Sequence, residues 1–288
     1  NLFIKNWKFV SGVMGISLGT VLLSQIDKII LSKMLTLEIF SYYMLATTVA
    51  TVIMSLVSPI HTALFPRLSQ LVVKKDETGI SDLYHRGCQL ASIIILPISI
   101  TMIFFSKEIL STWIGDPTVV NNTHILLSLL IVGTTIKAYM TLPYTLQLAH
   151  GWTKLAFYKN VIAVIIIIPS MLWAAQMYQG MGAAWVLIIL YLGLLIFEII
   201  IMHRRILKGN MRKRYGYDVF IPVLIASIIG FAAHEIHDLF SVDVSEVITA
   251  LAILCTLVFS FMASAWSTGN LNTRVMSLLK IKERKKIV

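Results

Sequence analysis

A chain of 288 residues that is 57% hydrophobic and 13% charged falls far from soluble domains, in which about 25% of residues are charged. Its mean hydropathy of +0.83 and its long apolar runs exclude a water-soluble globular domain and point to an integral membrane protein. The formal net charge of +10 does not indicate nucleic acid, because the basic residues sit in short blocks between apolar runs, as in cytoplasmic loops.

Eight apolar runs are long enough to be membrane spans: residues 9–31, 40–64, 87–105, 124–148, 157–177, 181–202, 219–233 and 247–266. A helix needs about 20 apolar residues to cross the hydrocarbon, so the expected fold is all-α with eight transmembrane helices. The seventh run is the shortest, with Tyr217 and Phe220 available to lengthen it at the interface. The chain opens on Asn1, carries no signal-peptide pattern, and is expected to start within a longer protein.

The first run closes on Ser24-Gln25-Ile26-Asp27-Lys28. Ser17, Thr20, Ser24 and Asp27 follow i, i+3, i+7, i+10 spacing and share one helical face. Asp27 and Lys28 are costly within a span unless they face protein, a wet cavity or the headgroups. Both cavity lining and snorkelling to the outer interface suit them. Gly15 and Gly19 form a single GxxxG, which favours close helix packing.

The second run carries Thr48, Thr51, Ser55, Ser58 and Thr62 at steps of three and four. Such a hydroxyl stripe serves either helix–helix packing or cavity lining; Thr51 and Ser55 are cavity candidates. Pro59 is expected to kink the helix, His61 follows near its inner end, and Phe65-Pro66-Arg67 closes it. The segment 65–86 reads as an amphipathic loop on the inner membrane surface, with Leu68, Leu71 and Val72 on one side.

In the fourth run Lys137 lies near the midplane, too far from either end to snorkel easily. Thr134, Lys137, Thr141 and Tyr144 share its face, and Pro143 loosens the ladder beyond it. A midplane ammonium on a polar stripe marks a functional cavity by default, or else a buried ion pair, with Asp27 as one available partner. The fifth run holds Asn160 and Pro169. Gly180-Met181-Gly182-Ala183-Ala184 then makes a tight turn, so the fifth and sixth helices are expected to be antiparallel neighbours. Glu198 is expected to pair at the interface with Arg204 and Arg205, and the basic stretch 203–214 to contact anionic lipid. Cys88 and Cys255 read as buried thiols without disulfide or metal spacing. His234-Glu235-Ile236-His237-Asp238 does not match the helical zinc pattern, so no metal and no cofactor is expected.

Alternate connections hold 20 of the 24 Lys and Arg residues, while the opposite loop 234–246 holds four carboxylates and no Lys or Arg. The positive-inside rule then places both ends of the chain in the cytoplasm, which eight spans satisfy.

The Asp-Lys-Ile-Ile-Leu run from Asp27, followed by a short outer loop and Tyr42-Tyr43-Met44-Leu45-Ala46, resembles the start of the second lobe of Wzx-type polysaccharide flippases, in the multidrug/oligosaccharidyl-lipid/polysaccharide exporter superfamily. Leu64-Phe65-Pro66-Arg67-Leu68-Ser69, Leu148-Ala149-His150-Gly151-Trp152-Thr153-Lys154 and the turn at Gly180 fit later patterns of that family in the same order. The resemblance implies one six-helix flippase lobe over residues 1–203, with two additional transmembrane helices and a basic cytoplasmic tail over 204–288. It implies a bacterial inner-membrane transporter that moves undecaprenyl-diphosphate-linked oligosaccharide from inner to outer leaflet for O-antigen or capsule assembly, by alternating access. The implied partners are that lipid-linked substrate, membrane lipids and other polysaccharide-assembly proteins. Asp27, Lys28, Thr51, Ser55, Thr134, Lys137, Thr141 and Tyr144 are the cavity candidates, and Asp27 and His61 the candidates for ion coupling. A multidrug exporter of the same superfamily is the nearest rival reading, although it would favour acidic and aromatic cavity residues over Lys137. A membrane enzyme of polysaccharide assembly and a purely structural subunit are two more distant rivals.

Overall fold

The computed structural model describes residues 2–207, 219–240 and 246–267. Among them the regular structure is helical, with no strand. The elements are α1 (Leu2–Met34), α2 (Leu37–Ala50), α3 (Val52–Val73), α4 (Glu77–Phe104), α5 (Ser106–Ile114), α6 (Pro117–Ala149), α7 (Thr153–Arg205), α8 (Ile221–Phe240) and α9 (Glu246–Ser267). Five stretches are long and apolar enough to cross a membrane: Met14–Met34, Leu37–Val73, Glu77–Phe104, Pro117–Ala149 and Thr153–Arg205. The apolar parts of α8 and α9, Ile221–Ile236 and Ala252–Met262, are shorter. The basic residues 208–214 and 274–286, and the loop residues 241–245, lie outside the described residues.

Short polar caps set the helix starts. Thr36 Oγ1 accepts from Ile39 N at the start of α2, and Asp116 accepts from Thr118 N at 2.8 Å ahead of Pro117 at the start of α6. Asp76 accepts from Gly79 N at 2.9 Å, and that hydrogen bond holds its carboxyl below the usual carboxylate range. α5 ends on Gly115 at φ 72°, a left-handed position that suits glycine.

One expectation changes here. The surface loop expected over 65–86 is instead the end of α3 and the start of α4, separated by Lys74, Lys75 and Asp76. Leu68 is fully buried, and Leu71 reaches Gly79 of α4, so the apolar stripe packs on protein in place of lipid. The helix runs on through Pro59 and Pro66, and the interruption between α2 and α3 falls at Thr51. The outer connection 106–123 contains α5, whose Ser106 is bonded by Ser128 of α6 at 2.9 Å.

The Gly180 turn forms as the sequence indicates. α7 is one hydrogen-bonded run broken at Gln179 (φ 52°, ψ −135°). Lys159 and Glu198 are 39 residues apart, which is about 58 Å along a straight helix, yet their side chains meet at 2.8 Å. The two arms therefore fold back as an antiparallel hairpin. A Cβ on Gly182 would run into the carbonyl of Ala174, whose carbon lies at 2.8 Å, so only glycine permits this approach.

α6 is the hub, packed by α2, α3, α4, α5 and α7. Leu127, Ile131, Leu142 and Leu146 along it are fully buried. Lipid is as apolar as these side chains, so close packing and interhelical hydrogen bonds have to supply specificity. The Thr135 and Ser99 hydroxyls are hydrogen-bonded at 2.8 Å, Tyr139 and Ser92 at 2.9 Å, and Ser128 lies 2.9 Å from the Ile103 carbonyl, which fastens α6 to α4 and its C-terminal end. Each such bond is worth about 0.6 kcal/mol on average. Gly15 and Gly19 do mark a close approach: a Cβ would meet the Phe157 ring and the Asn160 Cβ at 3.2 Å each. Asn160 then donates to the Ile16 carbonyl at 3.2 Å and to Thr20 at 3.1 Å, joining α1 to α7. α8 and α9 pack on each other and on α4, with Phe231 against Phe104 edge to face at 6.2 Å. Trp173, Ile165 and Ile189 of α7 are exposed, as lipid-facing residues are.

Candidate functional site

A cavity of about 220 Å³ with apolar walls and a set of polar side chains opens where α1, α2, the start of α3, α6 and the second arm of α7 converge. Its chemistry comes from one face of each helix. α1 supplies Ser24, Asp27 and Lys28, and α6 supplies Thr134 and Lys137. α2 adds Tyr43 and Thr47, Thr51 follows them, and α7 contributes Tyr191.

Asp27 is 5% exposed. The Tyr43 hydroxyl donates to its Oδ2 at 2.6 Å, while Oδ1 is buried with no hydrogen-bond donor among the described residues. The carboxylate is thus oriented from one side and left with an open acceptor on the other. The Lys137 ammonium lies 5.4 Å from the Tyr191 ring centroid, a cation–π distance. The one close ion pair among the described residues is elsewhere, between Lys159 and Glu198; Asp27 and Lys137 share the cavity without closing onto each other. Lys28 donates to Gln25 at 3.3 Å one turn back on α1.

Five of the sequence-selected residues therefore line this cavity: Asp27, Lys28, Thr51, Thr134 and Lys137. Ser55, Thr141, Tyr144 and His61 lie outside it. Ser55 is exposed on α3 and its hydroxyl donates to the Val52 carbonyl at 2.6 Å. Thr48, Thr51, Ser58 and Thr62 are exposed on the same face, so within the described residues the stripe is not an interhelical seam. Thr141 accepts through its carbonyl from Thr145 at 2.6 Å. His61 meets Thr145 at 2.6 Å and Tyr144 ring to ring at 6.2 Å.

Gln25, Tyr43, Thr47 and Tyr191 are polar cavity residues outside the sequence-selected set. Tyr43 stands in the quoted Tyr42-Tyr43 motif, but its hydrogen bond to Asp27 depends on the angle between α1 and α2. Tyr191 reaches the cavity because α7 folds back at Gln179, and no local periodicity reports which neighbour it then faces.

Glu198 departs from its expected pairing. It is fully buried, accepting from Lys159 at 2.8 Å and from Gln147 at 2.7 Å, and it does not pair with Arg204 or Arg205 at the interface. The hairpin brings Lys159 opposite it, and a buried partner outcompetes an arginine that can reach water. Arg205 lies instead over the Trp152 ring at 4.3 Å. Cys88 is buried as expected, but Cys255 is exposed on α9. His234 packs edge-on to Phe105 at 5.8 Å, and no group of three metal-ligating side chains forms among the described residues.

Comparison with known proteins bears on this site. Residues 3–120 match the model of a family described as polysaccharide biosynthesis protein. A Shigella flexneri protein named "Putative O-antigen transporter" is 22% identical over 182 residues, which is 63% of this chain and 41% of that protein. The chain therefore spans less than half the length of the curated relative it matches. No solved structure matches it. The two findings support the Wzx-type polysaccharide flippase family. The family match covers Asp27, Lys28, Thr51, Ser55 and His61 and ends before Lys137.

Proposed function

We propose that this chain forms part of a bacterial inner-membrane transporter that moves an undecaprenyl-diphosphate-linked oligosaccharide from the inner to the outer leaflet, by alternating access, for O-antigen or capsule assembly. The observation that carries the reading is Lys137. It lines a cavity midway along an apolar helix, where an ammonium is expensive to keep, and it is not consumed by a carboxylate contact. A diphosphate brings the negative charge that such a site lacks, and the low dielectric of the site strengthens the attraction. Lys28 supplies a second positive charge at the same cavity. Asp27, with its open Oδ1, is the carboxylate available to carry a coupling proton or sodium ion, and His61 is the other titrating group near the path. Both ends of the chain are cytoplasmic in this reading, which the distribution of Lys and Arg supports.

The test is Lys137→Ala in the protein expressed from its full reading frame, with surface polysaccharide and membrane abundance measured together. The reading expects polysaccharide to fall at least tenfold at near-normal abundance, and Lys137→Arg to retain part of the activity, since the fork differs from a point-like ammonium. Normal polysaccharide in a stable Lys137→Ala protein overturns it. Lost abundance would instead mark Lys137 as a structural residue.

A further inference from the structure

α3 and α6 stay in contact beyond the cavity. Tyr144 follows Lys137 by seven residues, so it shares the same α6 face about 10 Å farther along the axis. On α3, His61 follows the cavity residue Met54 by the same interval. The two meet: the His61 and Tyr144 rings lie 6.2 Å apart with planes 18° from parallel, and His61 and Phe65 are 6.2 Å apart at 23°.

A hydrogen-bond chain favours a proton on Nδ1 of His61. Thr145 donates its hydroxyl to the Thr141 carbonyl at 2.6 Å. That hydroxyl has one proton and a carbonyl has none to give, so at the 2.6 Å contact between His61 Nδ1 and Thr145 Oγ1 the ring nitrogen is the donor. Neutral imidazole with Nδ1–H leaves Nε2 as an acceptor, and no donor among the described residues occupies it. The adjoining face of α3 has the same character. Thr51 donates to the Thr48 carbonyl, Ser55 to that of Val52 and Thr62 to that of Ser58, so each hydroxyl spends its proton on its own helix and presents lone pairs outward. At the cavity end, buried Asp27 Oδ1 is one more acceptor without a donor. This stretch of α3 and α6 thus combines acceptors, flat rings and, at the cavity end, ammonium groups.

We infer that His61 and Tyr144 seat the first sugar of a ligand whose diphosphate lies at Lys137, a subsite that rests on the function proposed above. A sugar ring brings the hydroxyl donors that Nε2 and the serine and threonine oxygens lack, and a C–H face for the aromatic rings. Its attachment to the diphosphate sets it within the two helical turns that separate Lys137 from Tyr144.

The experiment compares two probes on the full-length protein in nanodiscs: undecaprenyl diphosphate, and the same lipid carrying one N-acetylglucosamine. Wild type is expected to bind the sugar-bearing lipid about 2–10-fold more tightly, the range for one net hydrogen bond. His61→Phe keeps a ring and deletes Nε2, and should bring that ratio to about one. Tyr144→Leu, which leaves the Thr145 contact in place, should do the same and guards against a folding defect in the first variant. Lys137→Ala should weaken both lipids and preserve the ratio. A wild-type ratio of one, with both lipids bound, overturns the sugar seat and leaves the transport reading standing. A ratio that survives both His61→Phe and Tyr144→Leu also overturns the seat. Binding of neither lipid by wild type overturns both.

Discussion

Glu198 is the residue whose replacement should reveal most about what holds this bundle together. Its carboxylate is fully buried, and it takes one bond from Lys159 at 2.8 Å and another from Gln147 at 2.7 Å. These three side chains tie both arms of the α7 hairpin to α6. At an effective dielectric of about 20 the Lys159–Glu198 attraction at this distance is about 6 kcal/mol, set against a desolvation cost of several kcal/mol for each ion. The net contribution of the intact pair is therefore small, while the cost of breaking it is not. Glu198→Ala leaves a buried ammonium without its counter-charge and should destabilise by about 3–5 kcal/mol. Gln147→Leu removes one bond to a charged group and should cost about 1.5–3 kcal/mol. Lys159→Met with Glu198→Leu removes both charges together and should fall near wild type or above it. Thermal unfolding of detergent-solubilised protein followed by size-exclusion fluorescence, with membrane abundance in parallel, measures these variants and the two single charge deletions. A double variant as unstable as the sum of its singles, or a Glu198→Ala protein within about 0.5 kcal/mol of wild type, would refute the argument, because coupled neighbours must depart from additivity.

Gly182→Val should lower membrane abundance severely, since its Cβ meets a backbone carbonyl that cannot rotate away; Gly193→Val, where a Cβ meets nothing within 4 Å, is the control and should be tolerated. In a cysteine-free background Asp116→Cys should label from outside with an impermeant thiol reagent and Lys154→Cys should not, and labelling of the second from outside would reverse the topology. The Lys137 and His61 tests given above complete the set.

Helix existence was readable because hydropathy and helical period both report on one chain segment at a time. The hairpin at Gln179 was readable too, since a Gly-Met-Gly-Ala-Ala run between two long apolar stretches leaves little room for any other path. The continuation of α3 to Val73 was not. Leu68, Leu71 and Val72 make an amphipathic stripe, and a stripe cannot say whether its partner is lipid or protein; Leu68 at full burial decides for protein. Glu198 was misjudged for a related reason. Sequence proximity favoured Arg204 and Arg205, but the hairpin offers Lys159 from a distance of 39 residues.

The candidate site separates along the same line. Asp27, Lys28, Thr51, Thr134 and Lys137 were found because a charge or hydroxyl in an apolar helix is conspicuous whatever surrounds it. Grouping by face then joined Thr141 and Tyr144 to Lys137, although the cavity closes before reaching them. A helical face is a line about 10 Å long for every two turns, whereas a cavity is bounded by the helices that cross that line. Tyr43 and Tyr191 do the bounding here, one by holding Asp27 and the other by lying beside Lys137. Both hold a polar group within the bundle, and so both help set which charges a ligand meets. Tyr144 falls outside that boundary but on the same line, beside a histidine whose open nitrogen points to a different part of the same molecule. In the function and subsite proposed above, one face of α6 presents an ammonium to a phosphate and a ring to a sugar, because positions seven apart share that face while the helices packed against it change.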